Sequence, residues 1–192
     1  LKAGLAFSWG VEIQTMEEIH LLAYFDDPAQ AQAFDQELYN SLLPLANDPE
    51  FFGDQVIIDE NENILRVESR ALINSSTWDI ATAVDQVKAF GGLAIPAHVD
   101  AEVNSIISQL GFLPAYPDFT ILGITAGLRL AEYQSMHPEM AGKTFLRASD
   151  AHYLNDLRKD VCCLCVKEPK ISEIELAALK LDGRYIDTIH EN

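Results

Sequence analysis

Short runs of apolar residues, each bounded by polar or turn-forming residues, recur along the chain. Continuous apolar runs of this length are typical of strands that are buried on both faces of a sheet. We therefore predict strands at 5–13, 19–25, 93–97, 119–125, 143–149 and 161–166.

Between these runs, apolar residues recur at helical spacing. Helix starts are indicated by capping residues and prolines, and helix ends by glycines or prolines. The predicted helices run from Pro28 to about Leu45, from Ser76 or Thr77 to Phe90, and over 102–110, 127–136 and 171–181. Alternation of strand and helix predicts the α/β class, with parallel strands joined by crossover helices.

Residues 55–68 break this alternation. Two β-branched runs flank the polar stretch Glu60–Asn63, a pattern that predicts a β-hairpin. We interpret this hairpin as an insertion at the surface of the domain.

The length and composition predict one globular domain over 1–192. The chain has 192 residues, of which 48% are apolar, enough to bury a sizeable core. No apolar run approaches the ~18 residues of a membrane span, and no secretory signal opens the chain. Because the chain starts at Leu1 and almost at once enters a predicted strand, we expect an N-terminally truncated piece of a longer protein.

Acidic residues outnumber basic ones by 30 to 13, which gives a net charge of −17. Nucleic acid and anionic membranes attract basic surfaces, so we predict neither a membrane nor long nucleic acid as a partner. A small anionic substrate stays compatible with this charge, because bound divalent cations would invert the local potential of a cleft.

Three cysteines, at 162, 163 and 165, are too close together for a normal disulfide framework. We therefore predict a reducing, cytoplasmic location. Val161 and Val166 flank the cysteines, and no second pair completes a four-ligand site. Structural cysteines in a buried strand are the preferred interpretation.

Groups that can bind a metal ion lie near the ends of four predicted strands. Because the carboxyl ends of parallel strands share one rim, groups far apart in sequence can meet there. Nitrogen and oxygen donors together suit Zn, Mn or Fe without choosing among them. These candidate ligands are Glu12, His20, His98, Asp150 and His152.

Each candidate ligand also has a simpler interpretation, as a hydrogen-bonded structural histidine, a solvated carboxylate or a loop cap. The coincidence of three histidines beside buried strands favours a shared site. His137 and His190 receive no role. Arg129 and Arg147 either face an anionic substrate or are exposed or ion-paired.

The stretches "WGVEIQTMEEIHLLAYF", "GGLAIPAHVD" and "RASDAHYLND" together resemble the PHP (polymerase and histidinol phosphatase) family of metal-dependent phosphoesterases. The segment "SIISQLGFLP" is similar to a bacterial subgroup of free-standing members. The resemblance covers nearly the whole chain. It implies a single PHP-like domain, a partial distorted (β/α)7 barrel with the hairpin inserted near 55–68.

The resemblance also implies ligand roles. Glu12 matches the carboxylate that bridges two metal ions, His20 and His98 match single ligands, and Asp150 and His152 match ligands of different ions. The family's first motif, His-x-His, is missing, because no histidine precedes His20. Up to three divalent ions bind in the intact family site. One is expected here, held by Glu12, His20 and His98.

The implied activity is metal-dependent hydrolysis of a phosphoester in a small phosphorylated substrate. Glu12, Asp150 and His152 are the expected catalytic residues, with Asp150 or His152 orienting the water. The isolated chain can be inactive. Two alternatives stay open: an amidohydrolase-type metal hydrolase, and a PHP-like binding module without catalysis. A truncated barrel would expose an apolar flank, so a homo-oligomer is also compatible.

Overall fold

A computed structural model describes residues 6–158 and 162–188. Its helices alternate only partly with its strands. The strands are β1 (Trp9–Gln14), β2 (His20–Phe25), β3 (Val56–Ile58), β4 (Ile64–Val67), β5 (Leu93–Pro96), β6 (Ile121–Ile124), β7 (Thr144–Arg147), β8 (Cys163–Cys165) and β9 (Tyr185–Asp187). The α-helices are α1 (Pro28–Ser41), α2 (Pro49–Phe52), α3 (Ile80–Ala89), α4 (Ile106–Leu110), α5 (Leu130–Met136) and α6 (Ile171–Ala178).

The central sheet is antiparallel and has the strand order β1-β2-β5. Only the segment 15–19 joins β1 to β2, and within it Thr15 N donates to Ile19 O at 2.9 Å. A connection this short allows a hairpin but not a crossover helix, so the two strands must run in opposite directions. Their register pairs Glu12 with Leu22 and Gln14 with His20.

Strands β6 and β7 form the one parallel ladder in the described part of the chain, and α5 connects them as expected for a βαβ unit. This pair adjoins β5: Val99 N donates to Gly123 O at 2.8 Å. The backbones approach so closely that a Cβ on Gly123 would lie 2.8 Å from the carbonyl oxygen of Pro96. Glycine is therefore required at this contact.

The predicted hairpin is present, formed by the antiparallel strands β3 and β4. The predicted partial (β/α)7 barrel is wrong. Over residues 6–158 and 162–188 the strands form one three-stranded sheet and three two-stranded ladders, without a closed barrel. The link between β1 and β2 is too short for the crossover that parallel pairing needs. Strands β2 and β5 also pair antiparallel, although α1, α2 and α3 lie between them in the chain, so among the described strands only β6 and β7 pair in parallel.

Two apolar clusters cover the two faces of the central sheet. Leu21, Ala23 and Phe25 of β2 belong to the larger cluster, with residues of α1 and α3. Leu22 and Tyr24 point to the opposite face and pack against the smaller cluster, which includes Ile95, Ile121, Ile171 and Ala178. Full burial of one such aliphatic or phenyl side chain contributes about 1.5–3 kcal/mol. The face that carries Leu22 also carries the candidate ligands.

The cysteines do not lie in a buried strand, as the sequence pattern had predicted. Cys163 and Cys165 are exposed, because β8 pairs only with β9 in the described structure. Cys162 is half-buried, and burial raises the pKa of its thiol. The predicted strand begins at Val161, and one of the two histidines that received no role is His190; both residues lie outside the described ranges.

Among the described residues, no helix combines the length and the apolar character that crossing a membrane requires.

Candidate metal centre

The register of β1 against β2 gathers the first candidate ligands. Side chains two residues apart on a strand, and those directly opposite across a ladder, share a face. Glu12 and Gln14 therefore point to the same side as His20 and Leu22. Glu12 and His20 are diagonal neighbours on this ribbon, within reach of each other's side chains.

His98 comes from the residues that follow β5. Strand β5 pairs with β2, and Ala97 N donates to His20 O at 3.0 Å. His98 has φ 27°, in the left-handed region, and its backbone turns there away from the ladder. The next residue, Val99, is tied to β6 through Gly123 O. This turn directs the ring toward Glu12.

Three ligand atoms converge at the end of the ribbon. His20 Nδ1 lies 3.2 Å from His98 Nε2 and 3.5 Å from Glu12 Oε1. His98 Nε2 lies 3.7 Å from the same carboxylate oxygen. Within the described ranges, no other three His, Cys, Asp or Glu side chains bring ligand atoms this close together. Glu12, His20 and His98 thus form a candidate metal-binding triad.

The spacing fits a four-coordinate ion. Zinc binds imidazole nitrogen and carboxylate oxygen at about 2.0–2.2 Å, and the ligand atoms of a regular tetrahedron of that size are about 3.3–3.6 Å apart. The three observed separations, 3.2, 3.5 and 3.7 Å, lie around this range. The sequence-based set of Zn, Mn or Fe stays open, because all three ions accept two imidazoles and a carboxylate.

The local electrostatics keep the carboxylate of this triad ionised. A hydrogen bond with His20 lowers the pKa of Glu12, against the opposing effect of partial burial. Glu12 and Tyr24 line one cavity. Burial, reinforced by the charges of Glu12 and Asp150, raises the pKa of the Tyr24 phenol. At neutral pH the cavity therefore contains a carboxylate acceptor and a phenol O–H donor.

Asp150 and His152 lie nearby without joining the triad. Asp150 lines the same cavity of about 220 Å³ as Glu12 and His98. Its backbone, with φ 47°, is left-handed. His152 is 76% exposed, and its Nε2 lies 3.8 Å from Asp150 Oδ1. The structure therefore brings together three of the five predicted ligands and leaves this pair at the rim.

The prediction that parallel strand ends would gather the ligands is wrong in its geometry. Glu12 lies within β1, and His20 is the first residue of β2, at its amino end. The ligands meet because antiparallel strands bring the late part of β1 beside the start of β2. Within the triad, His98 alone follows the carboxyl end of a strand, as expected.

Two residues that the sequence did not single out contact His20. Asn104 Nδ2 lies 3.1 Å from His20 Nε2, and Asn104 O accepts from His20 N at 2.8 Å. Gln14 Oε1 lies 3.4 Å from the same ring nitrogen. For Gln14 a signal was available, because it follows Glu12 by two residues on one strand. No sequence pattern marks Asn104.

The two arginines considered for an anionic substrate have other contacts. Arg129 is exposed and pairs with Glu132 at 3.1 Å. Arg147 is 5% exposed, and its guanidinium donates to the carbonyl oxygens of Thr125, Ala126 and Leu128 at 2.7–3.0 Å. Arg147 thus holds the loop after β6 instead of facing the cavity as a free cation.

No protein-family model and no curated protein matches the sequence. Solved structures do match. The lesion-specific endonuclease Q of Pyrococcus furiosus superposes with a TM-score of 0.64 at 19% identity, over 92% of this chain and 40% of that chain. Endonuclease Q in complex with a 27-mer duplex substrate, with an abasic lesion at the active site, gives a TM-score of 0.64 at 16% identity over the same shares.

At these identities the similarity shows a shared fold, and this chain spans 40% of the length of those proteins. The comparison also corrects the predicted partners. The charge of −17 predicts against long nucleic acid as a partner, and this prediction is wrong, because a protein of this fold holds duplex DNA. Net charge describes the whole surface, whereas the potential of a cleft depends on the groups and cations within it.

Proposed function

We propose that this chain carries the metal centre of a hydrolase that cleaves phosphodiester bonds in DNA, as a member of the PHP-type phosphoesterases. The observation that carries the proposal is the convergence of Glu12, His20 and His98 at separations suited to one ion. The three sequence stretches that resemble the PHP family, which include all three ligands, support it. So does the fold shared with endonuclease Q.

In this proposal, different residues of the chain have different roles in catalysis. Glu12, His20 and His98 hold the ion, which would supply positive charge for a phosphate oxygen and lower the pKa of a bound water. Tyr24, whose raised pKa keeps its O–H protonated, donates a hydrogen bond to a second phosphate oxygen. Asp150, on the wall of the same cavity, accepts the proton of the attacking water. His152 beside it takes the proton onward to solvent.

The comparison favours a phosphodiester in a duplex over a small phosphorylated metabolite. Endonuclease Q is a lesion-specific enzyme, and its complex places an abasic lesion at the active site. By analogy, the substrate proposed for this chain is duplex DNA with a lesion. The chain has only 13 lysine and arginine residues among 192, so few phosphate contacts by basic side chains are expected. We therefore expect only a shallow dependence of DNA affinity on salt concentration.

An incision assay tests the proposal. The purified chain is loaded with Zn²⁺ or Mn²⁺ and incubated with a labelled 27-mer duplex that contains one abasic site, and with the same duplex undamaged. We expect a single cut near the lesion that is abolished by EDTA and by Glu12→Gln. Glu132→Gln, a substitution of an exposed glutamate that pairs with Arg129, is the matched control and should leave incision unchanged.

The rival functions predict other results. An amidohydrolase-type enzyme would hydrolyse lactones or amides and leave both the duplex and aryl phosphates intact. A binding module without catalysis would retain the metal and still cleave none of these substrates. Either result would overturn the proposed phosphodiesterase activity of this chain.

A further inference from the structure

His20 is held on both sides of its ring. Nδ1 faces Glu12 and His98, at 3.5 and 3.2 Å. Nε2 faces two carboxamides, those of Asn104 at 3.1 Å and Gln14 at 3.4 Å. A ring nitrogen can bind a metal only through its lone pair. In a neutral ring one nitrogen carries the proton, so the other nitrogen is the one available for metal binding.

The two carboxamides present opposite groups to Nε2. Asn104 offers its NH2, which suits a lone pair on Nε2 and a proton on Nδ1, directed at the Glu12 carboxylate. Gln14 offers an oxygen, which suits a proton on Nε2. On the other side of this carboxamide, the Gln14 NH2 donates to Ser75 Oγ at 2.9 Å. Only the second arrangement leaves the Nδ1 lone pair free.

Rotating the Asn104 carboxamide by half a turn exchanges its NH2 with its oxygen at nearly the same position. The ring nitrogen Nε2 would then face two acceptor oxygens, those of Asn104 and Gln14. An N–H at Nε2 flanked by two acceptors fixes the tautomer in which Nδ1 is unprotonated and its lone pair can bind a metal ion. No proton is gained or lost, because the ring proton moves from Nδ1 to Nε2.

The backbone indicates why asparagine suits this position. Asn104 has φ 57°, in the left-handed region that asparagine tolerates better than most residues. Its carbonyl oxygen accepts from the His20 backbone N–H at 2.8 Å. The same residue thus fixes both the backbone and the ring of His20.

We propose that Asn104, together with Gln14, is a positioning residue that accepts a hydrogen bond from His20 Nε2–H and thereby selects Nδ1 as the metal-binding nitrogen. This inference rests on the metal centre of the proposed function, but it adds the orientation of one ligand and the residue that sets it. Hydrogen-bond partners of metal-bound histidines typically change affinity by about 10–100-fold when they are removed.

Two substitutions of Asn104 distinguish the contribution of its side chain from that of its backbone. Asn104→Gly removes the carboxamide and keeps the left-handed backbone, whereas Asn104→Asp retains only acceptor oxygens. Glu62→Gly is the matched control, because Glu62 has φ 64° in the β3–β4 hairpin, outside the triad. We expect Asn104→Gly to weaken Zn²⁺ binding by about 10–100-fold. Asn104→Asp should restore it, and Glu62→Gly should leave it unchanged, as measured by competition with a chelator.

A spectroscopic measurement reads the orientation directly. In the zinc-loaded protein, ¹⁵N NMR of the histidine side chains should show His20 bound through Nδ1, with a slowly exchanging proton on Nε2. In Asn104→Gly that proton should exchange quickly with water. Binding through Nε2, or a zinc affinity of Asn104→Gly equal to that of the unsubstituted protein, would overturn the positioning role alone. Absence of zinc binding in the unsubstituted protein would instead overturn the metal centre and, with it, the proposed function.

Discussion

The two groups of candidate ligands differ in how the fold supports them. Glu12 and His20 lie on paired strands, and His98 follows a strand hydrogen-bonded to the same ribbon. Asp150 and His152 lie in the segment after β7, a strand that in the described part of the chain pairs only with β6. The first group has converging donor atoms, whereas the second has a 76% exposed histidine at 3.8 Å from its neighbour.

Strand register, not proximity in sequence, builds the close-spaced site. Cross-strand pairing fixes Cβ positions to within about an ångström, and packing of Ile13 and Leu21 on the reverse face holds those strands in place. Asp150 and His152 are two residues apart in sequence, yet they do not share a close-spaced third ligand in the described structure. A pair of this kind is suited to contacting substrate at the rim of the cavity.

Substitution of Glu12 should have the largest effect on metal affinity, because it removes one ligand of the triad. Glu12→Gln keeps the shape of the side chain but removes its charge, so the two histidines lose the anionic ligand. We expect Zn²⁺ affinity to fall by more than about 100-fold, beyond the effect of losing an outer hydrogen-bond partner. The contrasting substitution is Asp150→Asn, which should change affinity by less than about threefold. Isothermal titration with Zn²⁺ measures both, and equal losses would show that the two groups form one site.

The next effect concerns the close contact between the end of β5, which leads into His98, and β6, which pairs with β7. Gly123→Ala places a Cβ 2.8 Å from Pro96 O and 3.3 Å from His98 N, both backbone atoms that cannot rotate away. We expect β5 and β6 to separate, at a cost of about 1–3 kcal/mol in the free energy of unfolding. Urea denaturation measures this cost.

The matched control for that contact is Gly127→Ala. Gly127 lies shortly after β6, and a Cβ there would meet no atom within 4 Å. Its free energy of unfolding should stay within about 0.5 kcal/mol of the unsubstituted protein. A similar loss in both substitutions would mean that glycine freedom, and not the close approach of β5 and β6, is what matters.

The smallest effect concerns an ion pair remote from the triad, which links α6 to the residue before β9. Arg184 donates to both carboxylate oxygens of Glu173, at 2.7 and 2.8 Å, and lowers the pKa of Glu173 to about 2. A lowered pKa stabilises the fold above the ordinary value of 4.5, and this stabilisation is lost as the pH falls from 4.5 to about 2. Glu173→Gln should therefore lower the urea midpoint at neutral pH and have little effect near pH 2.

Glu175 on the same helix provides the control for that titration. Burial raises the pKa of Glu175, so its ionised form costs stability at neutral pH, and Glu175→Gln should not lower the urea midpoint there. Neither substitution should change Zn²⁺ affinity. A loss of zinc binding in Glu173→Gln would contradict the independence of this ion pair from the triad.

Much of the element order could be predicted from the sequence, because apolar runs and capping residues act locally. Asp27 and Pro28, for example, begin α1 as expected. Pairing direction could not be predicted this way. Strands β1 and β2 were included in a series of parallel strands joined by crossover helices, although only a short link connects them. The exposure of Cys163 and Cys165 was missed for a related reason. An apolar run does not reveal that its strand pairs with a single neighbour.

The site was partly predictable for a different reason. The strand-end pattern named Glu12, His20 and His98 among five candidates, and the motif resemblance assigned these three to one ion. Their ligand atoms do converge. The expected geometry, in which the carboxyl ends of parallel strands gather the ligands, was wrong, because Glu12 and His20 meet across antiparallel strands. Asn104 could not be found at all. Its relation to His20 depends on a left-handed turn that brings residues 84 positions apart into contact.

The most direct test of the central claim is X-ray absorption spectroscopy at the zinc edge of the zinc-loaded chain. If Glu12, His20 and His98 hold the ion, the first shell contains only nitrogen and oxygen, at about 2.0–2.2 Å, with the outer scattering pattern of two imidazole rings. A sulfur shell at about 2.3 Å would instead place the ion on the exposed thiols of Cys163 and Cys165 and contradict the proposed metal centre.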